Sequence, residues 1–224
     1  MGIDISSQGK VALRKDTSLY ESGKASGDSH LDELLEDLQG QLDEGAKTSR
    51  SLWEHHLDLM AAARNADGTV LDATGAAGNF KITAGGWGTG TLILEGEDAQ
   101  NNTKTDTLCA VFQLPVTYED DEDLQVIVNG RYDDTGGGSV PTATVDVEVY
   151  KLDDEGAVGA DLCATAAQNL ANTFADKTFT VTDAGLAAGD RLMVLVRTAI
   201  TEAGNTGTLT AEIGSIRAAA DIKA

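Results

Sequence analysis

The sequence predicts a mainly β protein: an antiparallel, jelly-roll-like β-sandwich preceded by an N-terminal arm and an α-helical segment. Three observations lead to this fold class. Strand-like runs separated by turn residues recur from about residue 80 to residue 218. No helical pattern alternates with them in the way that a parallel sheet requires. Leucines at helical spacing precede them and predict the helical segment.

The first 66 residues divide into two predicted segments. Residues 1–27 are polar and interrupted by glycines, which indicates an extended arm. Residues 28–66 indicate a helical segment that is either a hairpin or a short coiled coil. Ser29 and Ser51 are each followed three positions later by an acidic residue, which is typical of a helix start. The sequence NADG, residues 65–68, marks the predicted end of the helix.

A leucine stripe runs along this helical segment in one heptad phase. Its members are Leu31, Leu35, Leu38, Leu42, Leu52 and Leu59. An apolar stripe of this kind needs burial, so we expect these residues to make assembly contacts. Two arrangements satisfy that need: a coiled coil between copies of the chain, or a helical hairpin that turns near Gly45 and packs on its own β domain.

The rest of the chain predicts a Gly/Thr-rich connector with short strands over residues 67–104 and the β-sandwich domain over residues 105–224. The eight strand-like runs are FKIT, GTLILEG, TLCAVFQL, LQVIVNGRY, ATVDVEVYKL, KTFTVT, RLMVLVRTAI and TLTAEIGSIRA. Residues 160–174 interrupt them and predict one short helix or an irregular crossover. In the turn AGLAAGD we expect glycines at positive φ and Asp190 bonded to turn amides.

The charge of the chain excludes several classes of partner. The 224 residues carry a net charge of −21 at pH 7, and the isoelectric point is about 4.2. Nucleic-acid binding needs basic side chains that displace phosphate counterions, so we expect no nucleic-acid partner. Anionic membrane surfaces are disfavoured for the same reason. No run approaches the roughly 18 apolar residues of a membrane span, so we expect no membrane partner.

No residue pattern indicates catalysis, a cofactor or a metal, and we therefore expect the protein not to be an enzyme. GGWGTGT, residues 85–91, matches neither the dinucleotide fingerprint nor the lysine-containing phosphate loop. Three acidic clusters, at residues 119–123, 133–134 and 153–155, indicate solvated loops, with Ca²⁺ binding as the open alternative. We predict no metal, cofactor-binding or catalytic residue.

Residues 106–218 resemble structural proteins of tailed viruses. The stretches that carry the resemblance are CAVFQLPVTYEDDEDLQVIVNGRY, ATVDVEVYKLDDEGAVGADLCATAAQNL, KTFTVTDAGLAAGDRLMVLVRTAIT and LTAEIGSIRA. In this order they are similar to phage-type auxiliary head proteins, which decorate capsids as jelly-roll trimers. The resemblance implies a virion structural protein, a capsid decoration or minor head protein on the capsid surface. It also implies a homotrimer whose partner is the major capsid protein or another shell protein.

The alternative function is a carbohydrate-binding β-sandwich module of a tail appendage or adhesin. Such modules present several aromatic side chains on one face. This chain has two Trp, four Tyr and four Phe, which leaves few for such a face. Binding on a glycan array would distinguish the two functions.

Overall fold

The computed structural model describes residues 2–5, 11–14, 50–57, 63–71, 77–84, 92–100, 102–118, 124–136, 141–182, 185–201 and 207–223. The chain forms two compact units, Met1–Ser51 with Lys223–Ala224, and Leu52–Ile222. In the first unit β1 (Gly2–Ile5) pairs antiparallel with β2 (Val11–Arg14). Both strands lie within the predicted N-terminal arm.

The second unit contains two antiparallel sheets. Sheet I has the strand order β10-β9-β13-β7-β4, and β11 also pairs with β9. Its strands are β4 (Arg64–Asn65), β7 (Thr103–Gln113), β9 (Thr142–Leu152), β10 (Val158–Asp161), β11 (Gln168–Asn169) and β13 (Arg191–Thr201). Sheet II has the order β12-β8-β14-β6-β5, and β3 also pairs with β14. Its strands are β3 (Arg50–His56), β5 (Lys81–Ala84), β6 (Leu92–Glu95), β8 (Leu124–Asp134), β12 (Ala175–Val181) and β14 (Leu209–Lys223).

Alternating side chains of both sheets build one hydrophobic core. On β13 the side chains of Leu192, Val194 and Val196 are fully buried, and β12 contributes Phe179. Each fully buried aliphatic or aromatic side chain stabilises the fold by roughly 1.5–3 kcal/mol. From β7 onward the chain passes between the sheets at the connections β7–β8, β8–β9, β11–β12, β12–β13 and β13–β14. The described residues thus form the predicted antiparallel, jelly-roll-like sandwich.

The strand predictions are confirmed. Each of the eight strand-like runs contains one strand, namely β5 to β9 and β12 to β14. Residues 160–174 are an irregular crossover that includes the end of β10 and the short β11. In the following turn Gly185 and Gly189 have φ values of 81° and 85°. The Ala187 N–H donates to Asp190 Oδ2 at 2.8 Å, as expected for this turn.

The predicted helix over the second part of residues 28–66 is wrong. Residues 50–56 form β3, and Arg64–Asn65 form β4. The Leu57 N–H, just after β3, donates to the Ile216 carbonyl of β14 at 3.0 Å, so a long-range pairing overrides the local helical spacing. Residues 28–49 lie outside the described residues.

No helix in the described part of the chain has the length and apolar character needed to cross a membrane.

Candidate functional site

The structure does not bring the predicted assembly leucines together. Leu52 lies on β3 with 65% of its side-chain surface exposed, which corrects its assignment to a buried helical stripe. Because successive side chains of a strand face opposite sides, Leu52 points away from the side on which its neighbour Trp53 packs against the core. Leu31, Leu35, Leu38, Leu42 and Leu59 fall outside the described residues, so their contacts stay predictions.

The outer face of sheet I carries a contiguous apolar surface, which we call the aliphatic band. It comprises Cys109, Val111, Tyr150, Leu152, Val158, Met193 and Leu195. Met193 on β13 lies directly opposite Val111 of β7 and Tyr150 of β9. Val111 and Val158 are 40% and 51% exposed, and the other members are half-buried. The band therefore crosses four neighbouring strands on the side of the sheet that faces away from the core.

A small polar network adjoins the aliphatic band. The Tyr150 hydroxyl donates to Glu148 Oε2 at 2.8 Å, and Arg197 Nη2 lies 3.3 Å from Glu148 Oε1. The hydrogen bond to Glu148 raises the pKa of Tyr150 to about 12, with partial burial adding to the rise. Tyr150 consequently stays neutral at physiological pH, and its hydroxyl is already engaged within the face.

Next to the network, the outer face becomes rich in threonine. Thr103, Thr142 and Thr201 lie in register on three adjacent strands, and the hydroxyls of Thr103 and Thr201 are 2.9 Å apart. Apart from Arg191, which is exposed and lies opposite Leu152, the side chains of this part of the face and of the band are uncharged. That is unusual for a chain whose net charge is −21.

The outer face of sheet II is instead covered by ion pairs. Arg131 Nε lies 2.6 Å from Glu212 Oε2, and its guanidinium stacks over the Phe174 ring at 4.8 Å from the ring centroid. Arg217 pairs with Asp176 at 2.7 Å. Its guanidinium and the Asn129 amide hold the pKa of Asp176 below its usual value. Each of these two carboxylates is thus matched by a guanidinium group within the same face.

An aromatic cluster lies between β3 of sheet II and β7 of sheet I. The Trp53 and His55 rings are parallel to within 4°, with centroids 5.8 Å apart, and both lie about 6 Å from the Phe112 ring. Phe112 is buried, Trp53 is half-buried and His55 is exposed. The cluster thus connects the core to the surface.

The three predicted acidic clusters have different locations. Residues 133–134 lie on a strand, residues 153–155 lie in a turn, and residues 119–123 are outside the described residues. Asp133 belongs to β8 rather than to the predicted loop, and it pairs with Arg131 at 3.4 Å. Asp153 Oδ1 accepts from the Ala157 N–H at 2.6 Å and organises a tight turn. Residues 85–91 also lie outside the described residues. Within the described ranges, no group of three His, Cys, Asp or Glu side chains is placed to hold a metal ion.

Sequence reasoning missed the aliphatic band, although one signal was present. The run RLMVLV is apolar at both parities of the strand period, so one half of it has to face outward. Which residues of β7 and β9 lie beside the outward residues of this run depends on the strand register, which the sequence does not give.

Comparison with known proteins finds no matching family model and no matching curated protein. Three solved structures illustrate the similarities. The CBM22-1 xylan-binding domain from Paenibacillus barcinonensis Xyn10C has a TM-score of 0.41 and 13% identity, over 77% of this chain and 94% of that chain. Tailspike protein 4 of bacteriophage CBA120, enzymatically active domain, has a TM-score of 0.35 and 12% identity, over 76% of this chain and 19% of that one.

The third structure, infectious bursal disease virus strain Gx, has a TM-score of 0.35 and 10% identity, over 79% of this chain and 32% of that chain. The xylan-binding domain corresponds to the alternative function of the sequence analysis rather than to the leading one. With TM-scores below 0.5, these similarities carry no argument about function, which has to come from the surfaces described above.

Proposed function

We propose that the protein is a non-catalytic structural protein of a virion, which coats or stabilises an assembled shell through the outer face of sheet I. The aliphatic band is the observation that carries this proposal. Contiguous exposed apolar surface on a soluble protein marks interaction sites. On a chain with a net charge of −21, a neutral face is also where another protein meets the least charge repulsion.

The chemistry of the band favours a protein partner over a sugar. Its exposed members are aliphatic, whereas sugar rings are bound by stacking on aromatic side chains. Tyr150 is the only ring in the band as defined, and its hydroxyl already donates to Glu148. The two residues directly opposite Met193, Val111 and Tyr150, are uncharged, whereas the charged Glu148 and Arg191 lie opposite Leu195 and Leu152. A charged rim around an apolar centre is usual in protein–protein interfaces.

The face is also large enough for a specific contact. Three of its strands have eleven residues each. At about 3.3 Å per residue and about 4.8 Å between strands they cover roughly 500 Å² in projection. Flanking strands and protruding side chains bring this close to the roughly 800 Å² per partner of a standard interface. In a shell, repetition by symmetry multiplies the effect of each contact.

The partner, on this proposal, is the major capsid protein or another shell protein, and the homotrimer is part of the proposal. The resemblance of residues 106–218 to auxiliary head proteins supports both. Light scattering on the purified full chain measures the mass directly. A mass of three chains agrees with the proposal, and a monomer at micromolar concentration contradicts its oligomeric part.

The test of the surface is co-sedimentation with purified shells of the virus that encodes the chain. Met193→Glu places a charge at the centre of the band, and we expect it to weaken binding at least 100-fold, as for the centre of an interface. Thr178→Glu adds the same charge at an exposed position of β12 in sheet II and is the matched control. If both variants bind like the wild type, sheet I is not the contact surface. Circular dichroism melts of both variants show whether the fold is kept.

Carbohydrate binding is a second candidate because of the aromatic cluster. The parallel rings of Trp53 and the exposed His55 offer a stacking platform outside the band. A glycan array followed by titration of any hit tests it. Binding that is lost in His55→Ala and kept in Met193→Glu would replace the structural role by a sugar-binding one.

A further inference from the structure

Two buried polar side chains lie at opposed positions of β7 and β13 inside the sandwich. Asp106 and Thr198 are directly opposed in the strand register, and they are 0% and 1% exposed. Asp106 Oδ1 and Thr198 Oγ1 are the buried side-chain oxygens without a hydrogen-bond partner among the described residues. An unsatisfied buried polar group is costly, and here two of them are adjacent.

The surroundings leave the Asp106 carboxyl little freedom. Its Oδ2 accepts from the Glu97 backbone N–H at 3.1 Å. A Cβ atom placed on Gly96 would lie 2.4 Å from the same oxygen, so the segment before β7 closes tightly over it. Oδ1 is therefore the carboxyl oxygen that has no partner, and Thr198, the residue opposite Asp106 on β13, carries the other unpartnered oxygen.

Few charges act on this carboxyl. Burial raises the pKa of Asp106 to about 6, the Glu97 N–H lowers it, the Glu97 carboxylate raises it and Lys104 lowers it. Glu97 and Lys104 pair with each other at 2.7 Å, so their effects on Asp106 partly cancel. Burial is the dominant cause, and it favours the neutral acid, which has a proton to donate.

We propose that Asp106 and Thr198 form an acid-dependent lock between β7 and β13. In mildly acidic solution the protonated Asp106 carboxyl donates from Oδ1 to the Thr198 hydroxyl oxygen, while Oδ2 keeps the Glu97 N–H. When Asp106 loses its proton its carboxylate can only accept, and in the structure the Thr198 hydroxyl makes no hydrogen bond to Oδ1. The bond is then lost, and a carboxylate remains in the interior with a single donor.

The direction of the pH effect follows from the two states of the carboxyl. In the unfolded chain its pKa is 3.8, and in the folded protein it is about 6. The stabilising contribution is thus complete below pH 3.8, declines as the pH rises, and is fully lost above about 6. A difference of roughly two pKa units corresponds to at most about 100-fold in the folding equilibrium constant.

Asp106→Asn is the central variant because its amide supplies a permanent N–H in place of the acid proton. Chemical denaturation of wild type and variant is compared between pH 4.5 and 8.5. We expect the variant to be more stable at pH 8, by up to about 100-fold in the folding equilibrium constant, and the difference to shrink toward pH 4.5. Taking the difference removes the titration of the chain's other acids. An unchanged or lower stability at pH 8 overturns the proposal, because it would mean that the Thr198 hydroxyl already donates to a carboxylate.

Thr198→Val tests whether the two residues act as a pair. It removes the acceptor, and we expect it to lower the folding equilibrium constant about 2- to 10-fold at pH 4.5 and not at pH 8. In the Asp106→Asn background the loss should occur at both pH values, which is the signature of coupling. Thr178→Val, at an exposed strand position, is the control for the loss of a hydroxyl. Equal losses from Thr198→Val at both pH values in the wild-type background overturn the lock.

Discussion

The outer faces of the two sheets are built from strands of similar length, yet they differ in chemistry. On sheet II the cations Arg131 and Arg217 lie against Glu212 and Asp176, so charges are matched within the face. On sheet I the aliphatic band occupies the corresponding area, and the Arg197–Glu148 pair adjoins it. Both faces sit on the same core, so core packing does not cause the difference.

The two outer faces show how a chain with few basic residues can give its surfaces different charge and polarity. Lys and Arg together number 16 against 37 Asp and Glu, so basic residues are scarce. On sheet II, Arg131 and Arg217 pair with carboxylates of the same sheet. The charges of this face are therefore matched without a partner protein. The outer face of sheet I carries the Arg197–Glu148 pair together with apolar and hydroxyl side chains, and its apolar part gains free energy when a partner covers it.

The largest expected effect tests whether β3 belongs to sheet II at all. Trp53→Ala removes the side chain that packs against Phe112 of sheet I, and we expect a loss of about 2–3 kcal/mol in the free energy of unfolding. Leu52→Ala removes an exposed side chain and should change stability by less than about 0.5 kcal/mol. Urea denaturation measures both. A larger loss for Leu52→Ala than for Trp53→Ala would mean that Leu52 is the buried residue, as in the predicted helical stripe. It would contradict the assignment of β3 to sheet II.

The next effect separates the two charged networks. Glu212→Ala leaves Arg131 without its nearest carboxylate at a site where the Glu212 side chain is 7% exposed, so we expect a loss of about 1.5–3 kcal/mol. Glu148→Ala on sheet I removes a partner that is 25% exposed and should cost less than about 1 kcal/mol. Thermal and urea denaturation compare the two. Equal losses would mean that ion pairs support both faces alike.

Much of the sandwich could be predicted from the sequence because its long strands follow strict alternation. In β9, Val145, Val147 and Val149 are buried while Asp146 and Glu148 face outward, and this pattern can be read without a structure. Two-residue strands such as β4 and β11 carry no such pattern, since only their partner strands define them.

The sequence misleads at β3 for a physical reason. In RSLWEHHL the inward positions are Trp53, His55 and Leu57, and a histidine among them obscures the period of two. Leu52 also fits the helical spacing used for the stripe. The pairing of β3 with β14 joins segments more than 150 residues apart, and no local pattern reports it.

In the candidate sites, too, some features can be read from one strand, and others depend on how distant strands pair. The inward position of Asp106 follows from counting back by two from Leu108, so the sequence did contain that signal. Its missing partner depends on the β7–β13 register. The aliphatic band likewise exists only once β7, β9 and β13 are aligned, because each of these strands contributes only two of its members.

The smallest expected effect tests whether the ion pairs of sheet II leave a mark on the pH dependence of stability. Asp176 has a lowered pKa, chiefly through its bond with Arg217 and then through Asn129. A lowered folded-state pKa means that the contribution is present above the unfolded value of 3.8 and is lost as the pH falls through the folded value. Asp176→Asn should therefore be less stable than wild type at neutral pH, and the difference should shrink as the pH falls below 3.8 and through the lower folded-state pKa.

The size of this effect is limited by exposure. The Asp176 side chain is 45% exposed, so water screens the pair and we expect less than about 1 kcal/mol, falling further in 1 M NaCl. Urea denaturation at pH 7 and pH 3, with and without salt, measures it. This profile runs opposite to that expected for Asp106→Asn, which gains stability at neutral pH. If Asp176→Asn were also stabilising at pH 7, the Arg217–Asp176 pair would lower the free energy of unfolding. The outer face of sheet II would then be, like that of sheet I, a candidate surface for binding a partner.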